Sequence, residues 1–299
     1  MSTSQFQIGV DGGGTKTSLI LVDETGRVVA EHGAPGCNPS LAGPDRARAI
    51  LSEALSALRA GHRGVTIRRT LLCMAGAPAF WKETAAALKD CGAVETTRDS
   101  TPVLELATGG RPGLALHAGT GSFVAARAND GALHFAGGLG WRLGDPGSAQ
   151  DVAKRAFSHA MLELQGWKKS TALSDAVRAY TGQTEAPDVS RWLYGNPDDA
   201  NTRLGGFAPK VVELARAACP PAQHALLCSL TDLVEQARLV TAKLFGETTV
   251  PCGVSGTLLN SEPALHILRS LVATHGWSVT LVPIADAPIE GVRRLLLKG

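Results

Sequence analysis

The sequence predicts an α/β protein made of two similar halves, and three observations carry that prediction. A short apolar run, Gln7-Ile8-Gly9-Val10-Asp11, ends in Gly12-Gly13-Gly14 and gives way to an apolar, partly β-branched run from Thr17 to Val22. That is the pattern of strand, glycine turn, strand. It recurs at Leu114-Ala115-Leu116-His117, a Gly-Thr-Gly turn and Ser122 to Ala126, which points to an internal duplication. Around both copies, apolar residues recur at helical spacing, so helices alternate with short strands. Two halves, each presenting one glycine hairpin, are expected to face each other across a central cleft, the common ligand position in multi-domain α/β proteins.

Each element has its own signal. Glu24-Thr25-Gly26 turns the chain into Arg27-Val28-Val29-Ala30, so the opening reads as an antiparallel meander at the edge of a sheet. Ala47, Ile50, Leu51, Ala54 and Leu58 mark an amphipathic helix over about 44–60, with Pro44 near its start and Gly61 beyond its end. A strand at 69–73, a helix at 78–88 and a strand at 93–97 follow. Thr101 and Pro102 read as the N-cap and first residue of the next helix. The second half becomes mostly helical, with a helix starting near Ser148. Its longest helix, 221–245, carries Leu226, Leu230, Leu233, Ala237, Val240 and Leu244 as a core stripe and closes at Gly246. A strand at 248–254, a glycine turn, a helix at 262–275, a strand at 278–282 and a closing helix from Pro288 complete the chain. No linker rich in Ser, Pro or charge separates the halves. The repeat therefore sets the boundary: residues 1–110 with the closing helix 286–299 form one lobe, and 111–285 the other.

Composition narrows the function. A chain of 299 residues, 44% hydrophobic and 19% charged, with 34 glycines and 16 prolines, lies outside the disordered and collagenous ranges and is expected to be a soluble globule. A formal net charge of +2 supplies no field to steer it onto nucleic acid or a membrane surface, so neither partner is expected. Six cysteines, at 37, 73, 91, 219, 228 and 252, form no CxxC pair for zinc or dithiol chemistry, and the eight histidines form no metal-type cluster. With no basic n-region in the first ten residues and no apolar stretch of spanning length, a reducing cytoplasm is the expected compartment.

Three glycine turns carry the chemistry. Asp11-Gly12-Gly13-Gly14-Thr15-Lys16-Thr17 places residues without Cβ between two strands, so backbone N–H groups can approach an anion, with hydroxyls and an ammonium alongside. It reads as a phosphate cradle or as a flexible hairpin turn, and it matches neither the Walker P-loop nor GxGxxG. His117-Ala118-Gly119-Thr120-Gly121-Ser122 has the same form. Eleven of the 34 glycines fall between Gly109 and Gly147, where close approach of backbone to ligand explains them better than core packing. Gly253-Val254-Ser255-Gly256-Thr257 is a third turn, suited to lying along a nucleoside or serving as an ordinary strand-to-helix connection. Asp145, in Gly-Asp-Pro-Gly-Ser, either accepts from ligand hydroxyls or caps the helix near Ser148.

These three segments resemble the phosphate-1, phosphate-2 and adenosine motifs of the actin, Hsp70 and sugar-kinase ATPase superfamily. Within it the chain is most similar to the BadF-type ATPase group that contains N-acetylglucosamine and glucosamine kinases. The likeness runs from Ile8 to Pro288-Ile289-Glu290-Gly291 and includes the glycine-rich segment Gly137 to Ser148. It implies two ribonuclease-H-like domains closing on ATP, Mg²⁺ and an amino sugar, with the γ-phosphoryl group passing to the sugar 6-hydroxyl. Gly12, Gly13, Gly14, Thr15, Lys16, Gly119, Thr120, Gly121, Ser122, Gly253, Ser255 and Gly256 then bind ATP. Asp11 faces the metal through water, although unaided it would merely brace its turn. Asn38, in Gly36-Cys37-Asn38-Pro39, matches a sugar-binding position, with an Asx turn as the plain alternative. Gly138, Leu139, Gly140 and Asp145 complete the sugar side.

Phosphoryl transfer needs positioning, charge neutralisation and one carboxylate beside the attacking hydroxyl. Asp99, after the strand at 93–97, matches the family's catalytic aspartate and is the expected base and sugar contact; a charge favouring the helix N-terminus is the alternative. The family commonly has tryptophan where Leu139 stands and glutamate where Pro146 stands, so the wall on the acetamido side is expected to differ. Trp141 offers a sugar ring an aromatic face or is simply packed. Two other functions compete: an ATPase activating a reductase or dehydratase through a cysteine-held cluster, and a non-catalytic sugar sensor. A homodimer is the assembly left open.

Overall fold

The computed structural model of the chain describes residues 5–62, 64–195 and 197–298. It divides into two compact units, Met1–Gly110 with Asp286–Gly299 and Arg111–Ala285. In the first unit, β1 (Gln5–Gly12), β2 (Lys16–Val22) and β3 (Val28–Pro35) form the antiparallel meander. A short α1 (Pro39–Ala42) and the amphipathic α2 (Pro44–Ala60) follow, each with proline in its first turn. Then come β4 (Thr66–Met74), α3 (Pro78–Ala87), β5 (Ala93–Arg98) and α4 (Ser100–Thr108). The sheet order is β3-β2-β1-β4-β5, with β1, β4 and β5 mutually parallel.

The second unit opens with β6 (Gly113–Ala118), β7 (Ser122–Arg127) and β8 (Leu133–Gly137), again an antiparallel meander. A helical layer follows: α5 (Ala149–Leu164), α6 (Ala172–Thr181), α7 (Ala186–Tyr194), α8 (Pro197–Gly206), α9 (Ala208–Arg216) and the 26-residue α10 (Pro220–Phe245). The chain then returns to the sheet through β9 (Val250–Ser255), α11 (Glu262–Thr274) and β10 (Val279–Pro283). The order β10-β9-β6-β7-β8 repeats the first sheet strand for strand, with β6, β9 and β10 parallel. Two mixed five-stranded sheets of one topology are what an α/β duplication produces.

The last helix, α12 (Pro288–Leu296), belongs to the first unit and lies on the face of its sheet opposite α2. Strand alternation makes this possible: Ile8 and Val10 enter the core under α2, while Gly9 faces the other way. A Cβ on Gly9 would stand 2.8 Å from Val292 Cγ1, and one on Gly291 would stand 2.2 Å from the Pro102 carbonyl oxygen. Glycine at both positions lets α12 seat on β1 and against α4. The second unit has its own core, in which α5, α9 and α10 pack over β6, β7 and β9 around Leu116, Val152, Phe207 and Leu230.

Candidate active site

In the first unit, the parallel strands bring two expected residues to one sheet edge. Register pairs Asp11 with Cys73 and Cys73 with Thr97, so Asp11 and Asp99 leave the C-terminal ends of β1 and β5 with β4 between them. Two strand spacings amount to about 10 Å. The C-terminal edge of parallel strands is where α/β sheets bind ligands. Burial, and then the charge of Asp99, push the Asp11 carboxyl up to about 7, with Lys16 pulling the other way. Cys73, wedged between the two carboxylates, has its thiol raised by burial and by both of them and is unreactive.

The helix after Asp99 begins earlier than the sequence suggests. Ser100 is its first residue and Asp99 occupies the cap position, displacing Thr101 from that role. The hydroxyl of Thr101 instead meets that of Thr97 at 2.9 Å, which ties the helix start to β5. The Asp99 carboxylate makes no capping hydrogen bond.

The glycine hairpin is closed by the Gly13 N–H donating to the Lys16 carbonyl at 2.9 Å, with Thr15 and Lys16 exposed. The chain returning from β3 braces it: Gly36 N–H donates to Thr15 O at 3.1 Å, and Cys37 N–H to Gly13 O at 3.2 Å. A Cβ on Gly36 would lie 2.1 Å from Gly14 O, so only glycine permits this approach. Sequence reasoning gave Gly36 no part, because a contact between segments twenty residues apart leaves no local signal. Gly12 is buried, its missing Cβ facing Met74 and Cys37, and it serves packing more than ligand approach. Asn38 forms the Asx turn: its Oδ1 accepts from Ser40 N–H at 3.0 Å and caps α1.

In the second unit, the turn Gly119–Gly121 follows β6, and Gly119 O accepts from Ala149 N–H at 3.0 Å. The hairpin tip is thereby joined to the N-terminus of α5, whose positive end faces anions. Spacing along the chain does not reveal that junction. Ser148 itself caps α5, accepting from Asp151 N–H. Ser122 is buried, and its hydroxyl donates to Pro146 O at 2.6 Å, tying the hairpin to the glycine-rich loop.

Asp145 is neither a helix cap nor open to a ligand. It is buried at a φ of +63°, and its carboxylate accepts from the N–H groups of Gly140, Leu139, Ser122 and Gly138. Burial raises its pKa against those hydrogen bonds. Its Oδ2 would lie 2.7 Å from a Cβ on Gly121, so it fills the space beneath the hairpin and holds the glycine-rich loop. That loop presents Leu139 and Leu143, 71% and 85% exposed, with the Arg142 guanidinium over the Trp141 ring at 5.2 Å. Its far end is tied by Gly147 N–H to Ser229 Oγ at 3.0 Å, and Ser229 in turn donates to Asp151.

The third turn divides. Gly253 lies within β9, paired with Ala115 on one side and Val282 on the other, so it is part of the sheet and not of a ligand loop. Gly256 is at the edge: its φ is +101°, and a Cβ there would meet Ala118 O at 2.0 Å. It lays the turn after β9 directly on the second hairpin. Ser255 Oγ lies 3.2 Å from His117 Nδ1, and the His117 ring stacks on Phe123 at 5.1 Å. Sequence reasoning gave His117 no role, although it stands at the head of the motif.

A family model described as the BadF/BadG/BcrA/BcrD ATPase family matches residues 8–292. The chain belongs to the BadF/BadG/BcrA/BcrD ATPase family. The chain is 25% identical over 233 residues to a Dictyostelium discoideum protein named N-acetyl-D-glucosamine kinase, covering 72% of each chain. It is 23% identical over 198 residues, 64% of each chain, to an N-acetylmuramic acid/N-acetylglucosamine kinase from Clostridium acetobutylicum. A Chromobacterium violaceum protein provisionally assigned as N-acetylglucosamine kinase has a solved structure that matches this chain with a TM-score of 0.79 over 98% of both chains, at 24% identity. At that identity the match speaks for the fold, which is the expected actin-like, ribonuclease-H-like one. No helix among the described residues is long and apolar enough to cross a membrane.

Proposed function

We propose that this ATPase is a hexosamine kinase that transfers the γ-phosphoryl group of ATP to the 6-hydroxyl of glucosamine or N-acetylglucosamine. The observation that carries the reading is the pair Asp11 and Asp99 at one sheet edge beside the glycine hairpin. The kinases named among its relatives support the substrate class.

Each residue then has a task. Backbone N–H groups of Gly14, Thr15, Thr120 and Gly121 donate to phosphate oxygens, the Lys16 ammonium adds charge, and the α5 N-terminus reinforces the second hairpin. Ser255 and Gly256 border the nucleoside. The Asn38 amide and the Gly138–Gly140 backbone meet the sugar, with Leu139 as an apolar wall and Asp145 holding that wall in place. Asp99 accepts the 6-hydroxyl proton as the new P–O bond forms and the bond to the ADP leaving group breaks.

Two carboxylates beside a polyphosphate repel it, and the Asp11 carboxyl is already pushed up to about 7 by burial first and by the charge of Asp99 second. Hard carboxylate oxygens suit Mg²⁺, so the residues fit the ion, and Asp11 would hold it through water. When bound, the ion neutralises charge on the transferring phosphate.

A coupled assay for ADP over glucose, glucosamine and N-acetylglucosamine tests the proposal. The expected outcome is sugar-dependent ADP release that favours the amino sugars. Asp99→Asn is expected to lower kcat by roughly 10² to 10⁴ with little change in sugar KM. ADP release indifferent to sugar would overturn the kinase reading, and full turnover in Asp99→Asn would remove the base.

A further inference from the structure

Away from these residues, the groove between α5 and α10 opens into a pocket of about 350 Å³. Lys154, Arg155 and His159 line it from α5, Lys168 from the turn that follows, and His224 and Cys228 from α10. The two imidazoles meet edge to face with centroids 5.0 Å apart. Of the nearby carboxylates, Asp151 and Asp232 are taken up by Arg155, and Glu163 accepts from the Thr171 N–H and hydroxyl. Among the described residues, neither Lys154 nor Lys168 is in an ion pair. Burial, Lys168 and His224 hold the His159 imidazole below its ordinary range, with only Glu163 opposing them. The nearby carboxylates are thus engaged by Arg155 and Thr171, which leaves two ammonium groups and two imidazoles lining the pocket, an arrangement that favours binding an anion.

The shape of the donor set selects the anion. A planar carboxylate is best met by an arginine fork, and the Arg155 fork is already engaged. Two ammonium groups and two imidazoles around a small volume suit a tetrahedral dianion, whose oxygens accept from several directions. A volume near the lower end of ligand pockets fits a metabolite and not a polymer.

We propose that this pocket is a second anion site, distinct from the nucleotide and sugar residues, that takes a small phosphate monoester through Lys154 and Lys168, with the His159 and His224 rings as further donors. It stands independently of the kinase reading.

The test uses the full chain with saturating Mg²⁺ and a non-hydrolysable ATP analogue, so that the phosphate positions of the nucleotide are filled. Inorganic phosphate is the probe, chloride at matched ionic strength is the control, and the readout is the NMR ring signals of His159 and His224, assigned with His159→Gln and His224→Gln. Phosphate is expected to shift both signals saturably where chloride does not. The double variant Lys154→Ala/Lys168→Ala, which alters only exposed side chains, is expected to keep the native spectrum and to bind phosphate roughly tenfold or more weakly. Ring signals that do not move, that move equally with chloride, or that saturate identically in the double variant would overturn the site.

Discussion

Asp11 holds a carboxyl whose ordinary value of 3.8 is pushed up to about 7 by burial and by Asp99. An acid with a folded-state pKa above its unfolded value binds more protons folded than unfolded, so it takes stability away as pH rises between the two, here from about 4 to about 7. Asp11→Asn is thus expected to raise the ligand-free unfolding temperature by a few degrees at pH 8 and to change it little below pH 4. Calorimetry across that range checks the sign, and a variant less stable than the parent at pH 8 would contradict it. Gly36 makes the complementary case. Its missing Cβ would lie 2.1 Å from Gly14 O, so Gly36→Ala must displace the hairpin that Gly36 and Cys37 brace. Weaker binding of the nucleotide analogue by calorimetric titration, with little change in circular dichroism, is the expected outcome. At this scale the sequence singles out Asp11, Asp99 and the hairpin glycines as candidates, because their residue types and order are local. It cannot reveal Gly36 or the inward turn of Asp145 and Ser122, because those follow from which segments meet in space.

Elements were legible where periodicity and punctuation agree. The core stripe of α10 ends at Gly246 as expected, and proline and glycine bracket α2. Boundaries shift where a side chain finds a better partner: Thr101 gives up the cap of α4 for Thr97, and the helix starts one residue after Asp99. Gly253 shows the opposite failure. A glycine near a turn motif reads as part of the loop, yet the ladders to Ala115 and Val282 absorb it into β9. The return of α12 to the first unit rests on two glycines, and of these Gly291 has backbone, not a yielding side chain, where a Cβ would go. Gly291→Ala is therefore expected to destabilise by about 1–3 kcal/mol through overpacking against Pro102. Chemical denaturation measures it, and an unchanged midpoint would show that α12 is not seated as described.

At the scale of the whole molecule, the duplication is visible in sequence because both copies share the pattern strand, glycine turn, strand, and the sheets repeat one strand order. The layer from α5 to α10 is less legible, since several amphipathic helices share one period and nothing local says which packs on which. Charge sets the remaining constraint. With a formal net charge of +2 spread over 299 residues, no general field offsets the repulsion between a polyphosphate and the carboxylates Asp11 and Asp99. Nucleotide binding is then expected to require a divalent cation, and binding to the folded state alone raises stability by about 2.7 kcal/mol at a hundredfold excess over Kd. For units of this size that corresponds to roughly 5–10 °C in the unfolding temperature. Thermal unfolding with the ATP analogue, Mg²⁺ and then excess EDTA reads it directly. The shift should appear with Mg²⁺ and largely vanish with EDTA, whereas an equal shift without metal would mean that Lys16, the hairpin donors and the α5 N-terminus neutralise the phosphates by themselves.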